Sequence, residues 1–114
     1  MKVTFLGVGE AFDENNTHTC ILVEAAGRRM LVDCGATAPP SVWHQSKRPD
    51  YLDGIFISHF HADHVFGLPA LMMRMWEDGR TRPFYLFGPV GTQRNVERLM
   101  AVSYTHLTLP TISR

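Results

Sequence analysis

Residues 55–64, Ile-Phe-Ile-Ser-His-Phe-His-Ala-Asp-His, decide the fold. The stretch opens with an apolar run typical of a strand buried on both faces of a sheet. Three imidazoles and one carboxylate follow within six positions, at His59, His61, Asp63 and His64. If the extended geometry continues past the strand, the side chains of His59 and His61 point to the same side and can bind one metal ion. Asp63 and His64 then fall in the next turn, where they can hold a second ion.

This donor set favours zinc. Zinc accepts imidazole and carboxylate together at about 2.0–2.2 Å, and paired catalytic ions lie about 3.5–4 Å apart, a span that one turn can bridge. Water held by two such ions is a nucleophile near neutral pH, aimed at a phosphoryl or acyl centre. A single histidine would be read as part of a polar loop, but this density after a buried strand argues against that interpretation.

Outward from this stretch, apolar runs bounded by turn residues predict alternating strands and helices. Strands are expected at residues 3–8, 20–24, 29–33, 51–58 and 83–87, the second and third forming a hairpin. Helices are expected after residues 38–41, between residues 67 and 79, and after residue 92. This order implies right-handed crossovers and an α/β layer architecture.

Composition fits one modest globular domain, with 114 residues, 45% of them hydrophobic, and a formal net charge of zero. No strong field draws such a chain to nucleic acid or to anionic lipid. No signal peptide or membrane span is visible, so we expect a cytoplasmic protein without a membrane partner. Cys20 and Cys34 are then expected to be small buried hydrophobic residues rather than a disulfide.

The last thirteen residues have neither helical nor strand periodicity. Residues 102–111 can be spelled GTC TCT TAT ACA CAT CTG ACG CTG CCG ACG, which resembles the transposase adapter of shotgun DNA sequencing. We therefore predict two parts, a native one at residues 1–101 and adapter read-through at residues 102–114. On this prediction His106 is not a ligand, the native protein continues past Met100, and the chain by itself is an inactive fragment.

The motif His-x-His-x-Asp-His after an apolar strand resembles the signature of the metallo-β-lactamase superfamily. Residues 32–35, Val-Asp-Cys-Gly, resemble the Asp-x-Gly of that superfamily, whose aspartate supports the metal loop by hydrogen bonds. Residues 5–9, 65–69 and 86–91 are similar to the ribonuclease Z branch. The resemblance implies that the chain is the N-terminal half of an αββα sandwich, with Asp33 as the supporting carboxylate.

The resemblance also implies an activity. It indicates a metal-dependent hydrolase with two zinc ions, or Mn²⁺ or Fe²⁺ in their place, bound by His59, His61, Asp63 and His64. Asp63 would double as a general base, and the substrate would be a small-molecule or RNA phosphodiester. The remaining ligands would lie beyond Met100, and a homodimer of the full-length form is compatible with the branch. Residues 10–12, Glu-Ala-Phe, replace a proline-containing turn of the tRNA-processing members, which weakens transfer RNA as substrate.

Other chemistries stay open. Acyl or thioester hydrolysis of the glyoxalase II or lactamase type is the main alternative, and an iron-dependent persulfide dioxygenase shares the motif. Outside the motif, a lone loop histidine such as His18 is expected to be solvated. The same holds for the scattered arginines, namely Arg74, Arg80, Arg82, Arg94 and Arg98.

Overall fold

A six-stranded mixed sheet organises the chain in the computed structural model, which describes residues 1–104 and 111–113. The strands follow one another across the sheet in sequence order: β1 (Lys2–Gly7), β2 (Cys20–Ala25), β3 (Arg28–Val32), β4 (Gly54–Phe56), β5 (Phe84–Phe87) and β6 (Thr111–Ser113). β1, β2 and β3 are antiparallel neighbours, and β3 to β6 are parallel neighbours. The α/β architecture predicted from the sequence is confirmed.

In the part of the chain that the structure describes, four helices connect the strands: α1 (Pro39–Gln45), α2 (Ala62–Val65), α3 (Leu68–Glu77) and α4 (Thr92–Ser103). The predicted period is seen in α3, which has proline in its first turn and buries Leu68, Leu71, Met72 and Met75. Gly79, at φ +92°, follows the end of α3, a conformation that a residue with a β-carbon rarely adopts. No helix within the described ranges is long and apolar enough to cross a membrane.

Among residues 1–104 and 111–113, the core lies on one face of the sheet. Ile55 and Leu86 are buried under the helices, at 0% and 1% exposure, together with Leu22 and Leu31 of the hairpin. The prediction that the strand at residues 51–58 is buried on both faces is wrong for this chain, because Phe56 is 46% exposed. The helices cover one side, so alternate residues of each strand point away from them.

The uncovered face of the sheet is apolar. The strand register aligns Phe5, Ile21, Val32, Phe56 and Phe87 in one row across five strands. Tyr85 and Phe87, neighbours on this face of β5, stack with ring centroids 6.2 Å apart. In an αββα sandwich a second sheet packs against such a face.

The end of the chain differs from the pattern read in the sequence. Helix α4 continues through Val102 to Ser103, and the N–H of Tyr104 donates to the carbonyl of Met100 at 2.8 Å. Tyr104 packs against the core, and β6 pairs with β5. The adapter origin of residues 102–114 stays a prediction, and His106 lies outside the described residues.

Candidate metal centre

One edge of the sheet gathers the candidate residues. β1 and β3 are each antiparallel to β2, and β3, β4 and β5 are mutually parallel, so four strands end at the same edge. Asp33 follows β3 directly, and the stretch from Ser58 to His64 follows β4. Topology therefore brings together two segments that are far apart in sequence, which is where α/β sheets place their sites.

Asp33 connects these two segments. Its Oδ1 accepts the backbone N–H of Ser58 at 2.8 Å, and its Oδ2 accepts the Ser58 hydroxyl at 2.6 Å. The same Oδ2 lies 2.7 Å from Nδ1 of His64. Asp33 is 3% exposed and adopts φ +61°, a left-handed conformation that aspartate tolerates better than most residues. The carboxylate thus holds both the start and the end of the histidine segment.

The hydrogen bonds determine which ring nitrogens carry protons. The single hydroxyl proton of Ser58 is donated to Asp33, so the Ser58 oxygen can only accept from Nδ1 of His59, 2.9 Å away. His64 likewise donates its Nδ1 proton to Asp33. In the neutral form of either ring, Nε2 therefore carries a free lone pair. Both imidazoles are held in the tautomer that a metal ligand needs.

The predicted ligands are neighbours in space. The ring centroids of His59 and His61 are 4.6 Å apart and those of His59 and His64 are 4.0 Å apart. His64 Nε2 is 3.4 Å from Oδ2 of Asp63. With the His64 proton on Nδ1 and the ring neutral, both of these atoms carry lone pairs, and two acceptors so close together favour a cation between them, either a proton on Nε2 or a metal ion.

The donor set suits zinc in chemistry, with three imidazoles and one carboxylate. Among residues 1–104 and 111–113, however, no group of three or more His, Cys, Asp or Glu side chains is arranged to hold a metal ion. The three imidazoles and the carboxylate fit the metal by their chemistry as donors. The assignment of two of these ligands to each of two ions stays a prediction.

Two residues near the centre were missed or misjudged. Ser58 bonds both Asp33 and His59, and only its position directly before the motif could have indicated that role. His18, expected in solvent, is 9% exposed and lies beside Gly35, in a loop ending at the same sheet edge. Its flanking Thr-His-Thr-Cys sequence, running into β2, was the available signal.

Arg80 also departs from the expectation of a solvated arginine. It is 5% exposed, and its guanidinium donates to the carbonyls of Pro49, Leu52, Arg82 and Pro83 at 2.7–3.0 Å. Burial lowers its pKa from the ordinary value. It joins the loops before β4 and β5 and has no part in the candidate metal centre, whereas Arg94 and Arg98 are exposed as expected.

Solved structures of known proteins define the class of the fold. Human tRNase Z, short form, superposes with a TM-score of 0.81 at 31% identity, covering 99% of this chain and 43% of that one. YhfI of Bacillus subtilis, a metallo-β-lactamase fold protein, superposes with a TM-score of 0.76 at 20% identity. This superposition covers 98% of this chain and 43% of YhfI. The chain has the metallo-β-lactamase fold, and the resemblance to the ribonuclease Z branch is confirmed.

Sequence relatives narrow the class to a family. Ribonuclease Z of Methanococcus maripaludis is 35% identical over 111 residues, 96% of this chain and 36% of that protein. Ribonuclease Z of Bacillus thuringiensis is 35% identical over 114 residues, which cover 96% of this chain and 37% of that protein. The family model described as anti-Pycsar protein Apyc1 matches residues 1–101, and the chain belongs to this family. It spans little more than a third of the length of these ribonuclease Z relatives.

Proposed function

We propose that the chain contributes the first ligands of a two-zinc centre that hydrolyses phosphodiesters. His59 and His61 would bind one ion, and Asp63 and His64 the other. The observation that carries the proposal is the double constraint on the rings, since Asp33 and Ser58 hold the Nδ1 protons and leave Nε2 of His59 and His64 free. Mn²⁺ and Fe²⁺ suit similar donors and are outcomes of the metal analysis below.

Asp33 and Asp63 have different proposed roles: Asp33 orients a ligand, and Asp63 accepts a proton. A bound zinc pair supplies Lewis acidity and a water of lowered pKa. Asp33 keeps His64 oriented and compensates the positive charge that ligation places on the ring. Asp63 is half-buried beside His64, and its carboxylate would accept a proton from the attacking water.

A phosphodiester is the proposed substrate because relatives at 35% and 31% identity carry the names ribonuclease Z and tRNase Z. Either RNA or a small-molecule phosphodiester fits this class. We further propose a cytoplasmic location, since Cys20 and Cys34 are both buried free thiols, typical of a reducing compartment. A homodimer of the full-length form stays a prediction.

Zinc titration of the chain tests the ligand assignment. Histidine ring signals in NMR should shift for His59, His61 and His64, and His59→Ala or His64→Ala should weaken binding at its own ion. His44→Ala is the matched control, because His44 is an exposed histidine on α1, away from the predicted ligands. Shifts confined to His44 and His18 would contradict the assignment.

Activity needs the remaining ligands, so the chain alone should bind zinc weakly and show no turnover. The activity test therefore joins residues 1–101 to the C-terminal part of a ribonuclease Z relative. We expect zinc-dependent cleavage of bis(p-nitrophenyl) phosphate that is lost in Asp63→Asn. A folded, metal-loaded chimera that cleaves thioesters instead would favour the acyl alternative, and iron with sulfur oxidation would favour the dioxygenase. Turnover by residues 1–114 alone would contradict the ligand count.

A further inference from the structure

We infer that His18 is a positioning residue for Asp63 and His64, acting through Gly35. The three segments lie side by side at the edge of the sheet where the metal centre is proposed. The inference rests on the proposed function in treating Asp63 and His64 as ligands, but the placement itself is a property of the fold.

His18 is anchored on both its backbone and its ring. Its backbone N–H donates to the hydroxyl of Thr37 at 2.9 Å, and its Nδ1 accepts the backbone N–H of Thr37 at 3.4 Å. A bridge to Gly9 holds the other side of the residue. The whole residue is 9% exposed. A buried ring with both of these bonds is a rigid part of the structure.

Gly35 is enclosed between His18 and the ligand segment. A β-carbon at Gly35 would clash with both Cβ of His18 and the carbonyl oxygen of Asp63. Cβ of His18 and the carbonyl oxygen of Asp63 thus both pack against the side of Gly35 where a side chain would be, so His18, Gly35 and Asp63 are in close contact. Any movement of His18 away from Gly35 would open room for Asp63 to shift.

Hydrogen bonds join the same segments beside this contact. The N–H of Cys34 donates to the carbonyl of His64 at 2.7 Å, and the N–H of Gly67 donates to the carbonyl of Cys34 at 3.0 Å. Asp33 holds the His64 ring. The ligand turn is thus held by the Asp33 side chain, by two backbone hydrogen bonds and by the packing of His18 against Gly35 and the Asp63 carbonyl.

Amide hydrogen exchange on the metal-free chain tests the placement. His18→Ala should accelerate exchange of the Cys34 and Gly67 amides by about tenfold, the effect expected for losing one buried hydrogen bond and its packing. His18→Asn should restore protection, because Oδ1 of asparagine can accept from Thr37 where Nδ1 did. The Asp53 amide, bonded to the carbonyl of Arg29 at 2.8 Å, is the internal reference and should not change.

Zinc titration then separates positioning from simple stabilisation. His18→Ala should weaken zinc binding at His64 by about tenfold and leave binding at His59 and His61 unchanged. Unchanged exchange, equal acceleration at Asp53, or accelerated exchange with unchanged zinc affinity at His64 would each overturn the inference. Should His18→Ala not fold, His18→Leu keeps the volume and is compared with His18→Asn in the same way. Absence of zinc binding in the wild-type chimera that carries the remaining ligands would refute the proposed function, while exchange in the metal-free chain would still decide the role of His18.

Discussion

The Oδ2 atom of Asp33 lies 2.7 Å from Nδ1 of His64, across 31 positions of sequence. The same oxygen accepts the Ser58 hydroxyl at 2.6 Å. One buried carboxylate therefore ties the end of β3 to both ends of the histidine segment. This relationship makes Asp33 the residue whose removal should reveal most about the centre.

Asp33→Asn should lower both stability and metal affinity. Asparagine tolerates the positive φ of position 33, so the variant removes the charge while keeping the backbone. We expect a loss of about 1–3 kcal/mol in the free energy of unfolding and a 10- to 100-fold weaker zinc affinity at His64, roughly the range for outer partners of metal ligands. Urea unfolding and zinc titration measure the two effects.

Asp53→Asn is the control for this experiment. Asp53 also accepts a backbone N–H, that of Arg29 at 2.8 Å, and pairs with Arg82 at the opposite edge of the sheet. The Asp53→Asn variant should have a lower free energy of unfolding than the wild type and an unchanged zinc affinity. An Asp33→Asn chain that bound zinc as tightly as the wild type would remove the supporting role of the carboxylate.

Arg80→Ala should destabilise the fold strongly without altering zinc affinity at the candidate metal centre. Four carbonyl oxygens, of Pro49, Leu52, Arg82 and Pro83, would lose their donor, and the loss should exceed about 3 kcal/mol. The ammonium group of lysine cannot reproduce the planar set of donors that the guanidinium of Arg80 presents, so the Arg80→Lys variant should also be destabilised. Chemical denaturation compares both with Arg98→Ala, an exposed position on α4 that should stay near the wild type. Equal stabilities of the Arg80 and Arg98 variants would contradict this account.

Both cysteines should resist thiol reagents in the folded chain. Cys20 and Cys34 are both 0% exposed. The pKa of the Cys34 thiol is raised well above its ordinary value, mainly by a hydrogen bond with Cys20 and secondly by burial. Reaction with Ellman's reagent at neutral pH should be slow in buffer and stoichiometric in denaturant. Rapid labelling of a chain that remains folded by circular dichroism would show that the packing around these thiols is wrong.

The open sheet face should drive self-association of the chain. Phe5 and Phe56 are 66% and 46% exposed and lie in one apolar row. Their replacement by lysine should therefore reduce self-association and the binding of a dye that recognises exposed apolar surface. Stability should change by only about 0.5 kcal/mol, because exposed positions tolerate substitution. Val90→Lys is the control, since Val90 is fully exposed but outside the sheet. Sedimentation velocity over a concentration series measures the effect, and a wild type that stayed monomeric throughout would refute it.

The sequence by itself was sufficient for the local elements and for the candidate ligands. Spacing at residues 68–75 predicted α3, the run at residues 20–33 predicted the hairpin, and the histidine motif indicated a candidate metal-binding segment, whose metal binding stays a prediction. These features depend on period, turn residues and donor chemistry, all of which are local properties of the chain. The resemblance to a known family then supplied the fold of the whole and the support from Asp33.

Only the tertiary structure decided which distant groups meet. Burial of His18 depends on Gly35 and Asp63 packing against it, and burial of Arg80 depends on carbonyls from two loops that converge around it. The proton positions on His59 and His64 follow from Ser58 sharing one carboxylate with His64. Exposure of Phe56 depends on which face of the sheet the helices cover. Composition and periodicity describe a residue and its near neighbours, whereas such contacts arise only when the parallel strands bring their carboxyl ends to one edge.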